Sequence, residues 1–374
     1  MSSPPLRILV VNHRDWRNPR AGGLEELVAQ TCRYWSKWGH AVTLLCAGYS
    51  GVPREETIDG VRIIRGPNEY IFNWWAPFKI RAMGASQYDI ILEYISKVPC
   101  FIPMFVRHTP VAVMVPHLFG KTAFNELAWP LAAYAYALEQ PIPSVYRRSY
   151  FWALSKSTAT DLCNRGIAND RITVIYPGFN EDLLKPMAIE KTPQPSLIYV
   201  TRLKRYKRVD FPIIAVARLH AEFPGLRLFV TGSGDHEAAL RQLAASLGVT
   251  DAVEFTGFVS EERKHQLLQQ AWLGVQTSTI EGWGLGVIEA GACGTPTVAS
   301  NSPGLIESVR DGETGVLVPH GDIDALVAAL RRLLADRAER NRLGANAREW
   351  ARQLSWEKMS ERALSFLQEA MQKK

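Results

Sequence analysis

No stretch of the sequence approaches the roughly 20 consecutive apolar residues that a membrane-spanning helix needs. The chain is therefore expected to be soluble and cytoplasmic, or at most peripheral on the inner face of the cell membrane. Near the N-terminus only residues 8–11 are uniformly apolar. That is too short for the apolar core of a signal peptide and reads as a first β-strand. Cysteine is scarce: five in 374 residues (Cys32, Cys46, Cys100, Cys163 and Cys293), with no Cys-x-x-Cys pair. This disfavours a disulfide framework or a redox motif and suits small buried residues in a reducing compartment. No His/Cys cluster suggests zinc. The glycine fingerprint of a dinucleotide-binding dehydrogenase is nowhere complete. Its nearest match, Gly232-Ser233-Gly234, lacks the third glycine and stands open between a turn beside a nucleotide and a plain turn. Internal repeats and low-complexity tracts are also missing.

What is present is a composition of 47% hydrophobic and 21% charged residues, ordinary for a globular protein. The length suits two domains better than one core. The formal charge of +6 sits mostly in the first half: residues 1–186 carry 20 Lys+Arg against 15 Asp+Glu, the remainder 23 against 22. A basic first half is compatible with an anionic partner such as a membrane surface or charged acceptor, or with a plain solvated surface.

Apolar runs and helical periodicities alternate along the chain. Strand-like runs occur at 7–12, 41–46, 61–64, 89–92, 111–115, 151–154 and 172–175. An amphipathic helix over 22–38 buries Leu24, Leu27, Val28, Thr31 and Trp35 on one face. A polar, proline-bearing segment over 187–196 interrupts the pattern, which then restarts with strands at 197–201, 226–231, 253–255, 273–276 and 297–299. Helices are expected at 209–222 and 236–247, with three more beginning near Asp322, Ala338 and Ser355. Such alternation predicts α/β architecture with parallel sheets covered by helices. The expected division is residues 1–186, then 187–354, with 355–374 as a final helix. Two such domains would offer a cleft between the carboxyl ends of their sheets, where open α/β sheets bind ligands.

Chemistry concentrates in Glu281-Gly282-Trp283-Gly284-Leu285-Gly286-Val287-Ile288-Glu289. Glycines open a helix near Leu285, and free N–H groups at a helix start hold anions such as a diphosphate. Glu281 falls in the loop before that helix. Glu289, just over one turn inside it, could accept hydrogen bonds from two ribose hydroxyls. The competing reading is a pair of solvated helix glutamates. A basic loop, Arg202-Leu203-Lys204-Arg205-Tyr206-Lys207-Arg208, follows a buried strand. It would complete a diphosphate clamp, because Arg grips phosphate through its planar fork and Lys as a point charge. Gly22 and Gly23 open a helix after the first strand, which suits either a phosphate- or sugar-facing backbone or a simple turn. His117 follows the strand at 111–115 and could face a ligand or be structural. Asp322-Ile323-Asp324 reads as a helix N-cap rather than a metal site. The aromatic stretches 70–78 and 124–150 suit a membrane interface, core packing or an acceptor groove.

Together these landmarks resemble the retaining glycosyltransferases of family four, in the glycogen-synthase-like superfamily, which adopt the two-domain GT-B fold. They comprise Gly22-Gly23, Gly39-His40, His117, Ser155-Lys156-Ser157, Ile175-Tyr176-Pro177-Gly178, Arg202 with Lys207, Gly232-Ser233-Gly234, and Glu281 seven residues before Glu289. The resemblance implies two Rossmann-like domains facing a central cleft, the first binding an acceptor and the second a nucleotide sugar. It implies that Arg202 and Lys207, helped by Gly232 and the backbone of Gly282, Trp283, Gly284, Leu285, Gly286 and Val287, bind the donor diphosphate. Glu289 would hold the ribose, Glu281 the donor sugar, and His117 the region of the reacting carbon. Gly22 and Gly23 would lie beside the phosphates and the acceptor. The final helix would pack on the first domain.

The implied activity is transfer of a hexose from a UDP- or GDP-sugar to a hydroxyl of a glycan, lipid-linked or small-molecule acceptor. It proceeds with retention of configuration, without metal or cofactor, and with no role for nucleic acid. Departures from the family pattern at Trp283, Gly286, Thr201 and Arg208 touch the identity of the sugar rather than the diphosphate chemistry. A nucleotide-sugar epimerase of the same fold and a non-catalytic sugar-nucleotide-binding protein are the competing functions.

Overall fold

Residues 8–11 and 42–46 are buried almost completely, as strands covered on both faces must be. Alternate side chains feed two different cores. Ile8, Val10, Leu44 and Leu92 pack with the helices Gly23–Lys37 and Trp356–Gln372. Leu9, Val11, Leu45 and Ile91 pack with the helix Phe72–Met83. This period-two division builds the first sheet of the protein, here described from a computed structural model covering residues 4–95, 98–120, 123–126, 128–185 and 189–373.

The chain forms two units, Met1–Gly178 with Trp356–Lys374, and Phe179–Ser355. The boundary expected between residues 186 and 187 falls outside the described residues, and the change of unit comes earlier. Residues 179–185 go with the second unit because Leu183 is buried and Arg348 donates to the Leu184 carbonyl.

In the first unit, the strands are β1 (Arg7–Val11), β2 (Ala41–Cys46), β3 (Glu55–Ile58), β4 (Val61–Arg65), β5 (Ile90–Tyr94), β6 (Val111–Val115), β7 (Phe151–Ala153) and β8 (Ile172–Val174). Their order is β3-β4-β2-β1-β5-β6-β7-β8, and all pairs are parallel except β3 with β4. The chain winds outward from β1 in both directions, so the topological switch lies between β1 and β5, where ligands of such sheets bind. The final helix belongs to this unit. Trp356, Met359, Phe366 and Leu367 enter its core, and Trp35 Nε1 donates to the Ser360 carbonyl at 3.0 Å.

In the second unit, β9 (Ser196–Val200), β10 (Arg227–Thr231), β11 (Val253–Gly257), β12 (Leu273–Gln276), β13 (Thr297–Asn301) and β14 (Gly315–Pro319) form one parallel sheet. Its order β11-β10-β9-β12-β13-β14 puts the switch between β9 and β12. Leu197, Tyr199, Leu228, Val230, Leu273 and Val298 fill its core.

Two strands lacked a sequence signal. β3 has one apolar residue among four and pairs only at the sheet edge. It is fixed by the Asp59-Gly60 turn, whose φ values of 53° and 78° give the hairpin its twist. The apolar run of β14 is limited to Val316-Leu317-Val318, after a polar loop. Of the cysteines, Cys32, Cys46 and Cys100 are buried as expected, whereas Cys163 and Cys293 are partly exposed. Asp322 caps its helix, accepting from the Ala325 N–H at 2.8 Å. Among the described residues no helix is long and apolar enough to cross a membrane.

Glu93, on β5, is a carboxyl group inside the first core. It accepts from Tyr146 Oη at 2.8 Å and from the Cys100 N–H at 2.6 Å. Burial pushes its pKa up from 4.5 to about 7, and these hydrogen bonds only partly oppose the shift. The folded chain therefore holds a proton that the unfolded chain releases. Stability from this group is fully present below about pH 4.5 and is lost as pH rises toward 7, by about 3 kcal/mol. Glu93→Gln is expected to flatten that part of the pH dependence. Denaturant titrations near pH 5 and near pH 8 measure it, and an unchanged difference between the two would refute the assignment.

Candidate active site

β9 ends at Val200, and the basic loop leaves the sheet at the switch point of the second unit. Its five cations do not all point the same way. Lys204 pairs with Asp235 at 2.5 Å. Arg208, with φ of 52°, pairs with Asp210 and stacks 3.8 Å from the Phe211 ring centroid. Arg202 and Arg205 are exposed. Lys207 turns toward the neighbouring strand: its Nζ lies 2.5 Å from Glu281 Oε1, in the loop after β12. Local carboxylates and a ring thus capture two of the five cations of the loop.

Lys207 is held at both ends. Tyr199 Oη donates to its carbonyl at 2.5 Å and itself accepts from the Thr277 N–H at 3.2 Å. Ser278 Oγ donates to the same Glu281 oxygen at 2.7 Å. Burial alone would lower the Lys207 ammonium pKa, but the adjoining Glu281 carboxylate outweighs it and holds the group above the usual lysine range. The loop carrying Glu281 is also fixed in space. Its N–H donates to the Pro303 carbonyl at 3.0 Å. Gly304, at φ 83°, approaches so closely that a Cβ there would stand 2.3 Å from the Glu281 carbonyl oxygen.

The helix expected near Leu285 spans Leu285–Ala292, preceded by Gly284 at φ 93°. Gly286 needs its missing side chain, since a Cβ would meet Gln276 Nε2 at 2.7 Å. The side chains of Trp283 and Val287 are buried, and the Val287 N–H donates to the Gly284 carbonyl at 2.9 Å. Those two residues pack the helix start, while Gly282, Leu285 and Gly286 remain partly accessible. Gly232 serves close packing as well: a Cβ would overlap the Thr201 carbonyl oxygen. Thus the Gly-Ser-Gly turn lies directly against the loop that begins at Arg202.

Glu289 has a partner that carries no sequence motif. Lys264, from the helix Glu261–Gln270, lies 2.9 Å from Glu289 and 2.8 Å from Glu261. Its ammonium is likewise lowered by burial and raised more strongly by the two carboxylates. Lys264, Tyr199 and Gly304 were not legible from spacing, because each acts on a neighbour distant in the chain, whereas Ser278 stands only three residues before Glu281.

In the first unit, Gly22 precedes the helix Gly23–Lys37, and the Gly22 N–H donates to Glu25 Oε2 at 2.7 Å. The loop between β1 and that helix is tied down. His13 Nε2 lies 2.6 Å from Asn73 Oδ1, and Arg14 pairs with Glu69 at 2.6 Å. His117 follows β6, its ring 5.2 Å from that of Phe119. Behind it the buried Glu139 carboxylate accepts from the N–H groups of Phe119 and Gly120, both at 2.8 Å. Among the described residues no group of three His, Cys, Asp or Glu side chains is placed to hold a metal ion.

Two doubly wound sheets, each with a topological switch point, define an α/β architecture that binds ligands at the carboxyl ends of its strands. The chain matches the family described as Glycosyltransferase Family 4 over residues 21–183 and that described as Glycosyl transferases group 1 over residues 182–350. It belongs to glycosyltransferase family four and is a glycosyltransferase. It is 25% identical over 380 residues to a GDP-mannose-dependent α-(1-6)-phosphatidylinositol monomannoside mannosyltransferase of Mycobacterium tuberculosis, covering 93% of this chain and 95% of the relative. A glycogen synthase of the same organism is 28% identical over 391 residues, covering 92% and 90%. Among solved structures, sucrose-phosphate synthase of Thermosynechococcus elongatus superposes with a TM-score of 0.81 at 23% identity, over 97% of this chain and 98% of the other. HepE of Anabaena, in complex with UDP and glucose, gives 0.77 at 18%, over 97% and 100%. These likenesses show the GT-B fold.

Proposed function

We propose that the protein moves a hexose from a UDP- or GDP-sugar to a hydroxyl of a glycan, lipid-linked or small-molecule acceptor, with retention of configuration and without a divalent metal. The observation that carries this reading is the Lys207–Glu281 pair beside the start of the helix Leu285–Ala292. Loss of the nucleoside diphosphate builds negative charge on the leaving oxygen. A fixed ammonium, the Arg202 guanidinium and the helix start can stabilise that charge, by about 3 kcal/mol per well-placed donor. Such a cradle supplies what a metal ion would otherwise supply. Glu281 then accepts from hydroxyls of the donor sugar, Glu289 from the ribose, and His117 contacts the sugar near the reacting carbon. Gly22 and Gly23 border the phosphates. The leaving phosphate takes the acceptor's proton on the same face, which preserves configuration. The acceptor is met at a membrane surface.

Thermal-shift screening against UDP- and GDP-hexoses tests the donor assignment. At about 100 times Kd, the matching donor adds about 2.7 kcal/mol of stability. Glu289→Ala is expected to weaken that shift and raise KM about tenfold or more, with a smaller effect on kcat. Retention is read from the anomeric proton coupling of the product formed with a chelator present. Interconverted sugar nucleotide from donor alone would overturn the transferase in favour of an epimerase.

A further inference from the structure

The two aromatic stretches of the sequence split between inside and outside. Phe72, Ala76 and Ile80 enter the core of the first unit. Tyr146 is fully buried, and its hydroxyl donates to Glu93. Other aromatic and aliphatic side chains of the two stretches face solvent. Trp74 is 53% exposed and Phe78 58%, one turn apart on the helix Phe72–Met83. Trp129 is 73% exposed at the start of the helix Trp129–Glu139, and Leu131 and Tyr134, three residues apart, are exposed along one face of it. These segments form one surface rather than scattered residues. Trp74 Nε1 donates to Tyr134 Oη at 3.1 Å across the two helices. The Phe78 ring meets that of Phe105 at 5.0 Å, which brings in the exposed Met104. A contiguous exposed apolar surface of this kind marks a binding face.

Charge decides what it binds. Residues 70–83 and 98–110 contain Lys79, Arg81 and Arg107 and no Asp or Glu, while residues 128–138 contain no charge at all. Ile71, Trp74, Phe78 and Arg81 follow one another at helical spacing along one face, so the stripe ends in a cation. Indole and phenol rings with a basic border are the composition of a helix seated at a lipid–water boundary.

We propose that the face formed by Trp74, Phe78, Met104, Trp129, Leu131 and Tyr134 docks the first unit on a bilayer containing anionic phospholipid. This deepens the membrane-surface part of the function proposed above and rests on that reading for its purpose. The surface is also wired to the candidate site. Asn73, on the inner side of the same helix, bonds His13 in the loop after β1. Glu139, at the end of the other helix, anchors the loop behind His117. Docking on these two helices therefore places both loops at a defined height above the lipid.

The full chain should cosediment with phosphatidylcholine vesicles containing a quarter phosphatidylglycerol, and much less with phosphatidylcholine alone. Trp74→Ser with Phe78→Ser is expected to lower partitioning about tenfold or more. Lys79→Gln with Arg81→Gln should lower it by about fivefold per charge and remove the preference for phosphatidylglycerol. Brominated lipid should quench tryptophan fluorescence, and less so after Trp74→Phe and Trp129→Phe. Equal partitioning of the wild-type chain to both vesicles, or unchanged partitioning of the aromatic variant, would overturn the proposal. So would a dimer in solution that dissociates in that variant, since the occupant would then be a second copy. Nucleotide-sugar thermal shifts measured in solution on the same variants should be unchanged. Loss of donor binding in the wild-type chain would count against the transferase reading and leave vesicle binding to be judged by itself.

Discussion

Lys207→Met is expected to lower kcat about a thousandfold with a smaller change in KM, measured by release of nucleoside diphosphate. The size follows from two losses. The first is the ammonium itself, held beside Glu281 at 2.5 Å and positioned for charge that grows only as the leaving group departs. The second is that Glu281 loses its ion-pair partner, next to the place that the proposed function gives the donor diphosphate. Lys207→Arg should recover part of the activity, limited by the fit of a wider head against Ser278 and Tyr199. The double variant Lys207→Met, Glu281→Gln separates stability from catalysis. Removing both charges should restore much of the stability lost in the single variant, by about 1–3 kcal/mol, and none of the activity. Near-normal kcat in Lys207→Met would remove the ammonium from the mechanism.

Asp15→Ala should cost about 3 kcal/mol of stability, near the lower end for one partner of a buried pair. Asp15 is fully buried, with Oδ2 2.6 Å from Arg65 Nε. Its other oxygen accepts from the Arg17 N–H at 2.8 Å and lies 3.5 Å from Tyr49 Oη. Removal strands the guanidinium beneath the loop that leads to Gly22. Arg65 keeps Glu56 at 2.5 Å and the Pro53 carbonyl at 3.0 Å, which is why the expected loss is not larger. Replacing both members, as Asp15→Leu with Arg65→Met, should be milder than Asp15→Ala alone. Urea titration decides between them, and an Asp15→Ala chain within about 0.5 kcal/mol of wild type would show that Arg65 does not need its partner.

Legibility from sequence followed the physics of each feature. Strands β1, β2, β6, β9 and β12 were readable because burial on both faces demands continuous apolar runs. β3 was not, since an edge strand held by a hairpin turn carries no such run. Glu281 and Glu289 stood out through the glycines between them, which local backbone geometry requires. Lys207 was readable as part of a basic cluster, but the cluster could not reveal that Lys204 and Arg208 are occupied by Asp235 and Asp210. Asp15, Glu93, Glu139 and Lys264 are single ionisable residues whose partners lie far along the chain. Nothing in their surroundings in the sequence separates them from solvated charges. The aromatic stretches gave the composition of a boundary surface, and only burial sorted Tyr146 from Trp74.

The helix Trp356–Gln372 belongs to the unit whose other residues end at Gly178. On the ribosome this imposes an order of events. The first sheet and its helices emerge with a face that Trp356, Met359, Phe366 and Leu367 will later cover. At about 5–20 residues per second, that face waits roughly 10–35 s while the second unit is made. During that interval the exposed indole of Trp35 and its neighbours are the natural target of a chaperone. The first unit becomes complete only after the second has been synthesised, so a half-made chain does not yet hold a finished first unit.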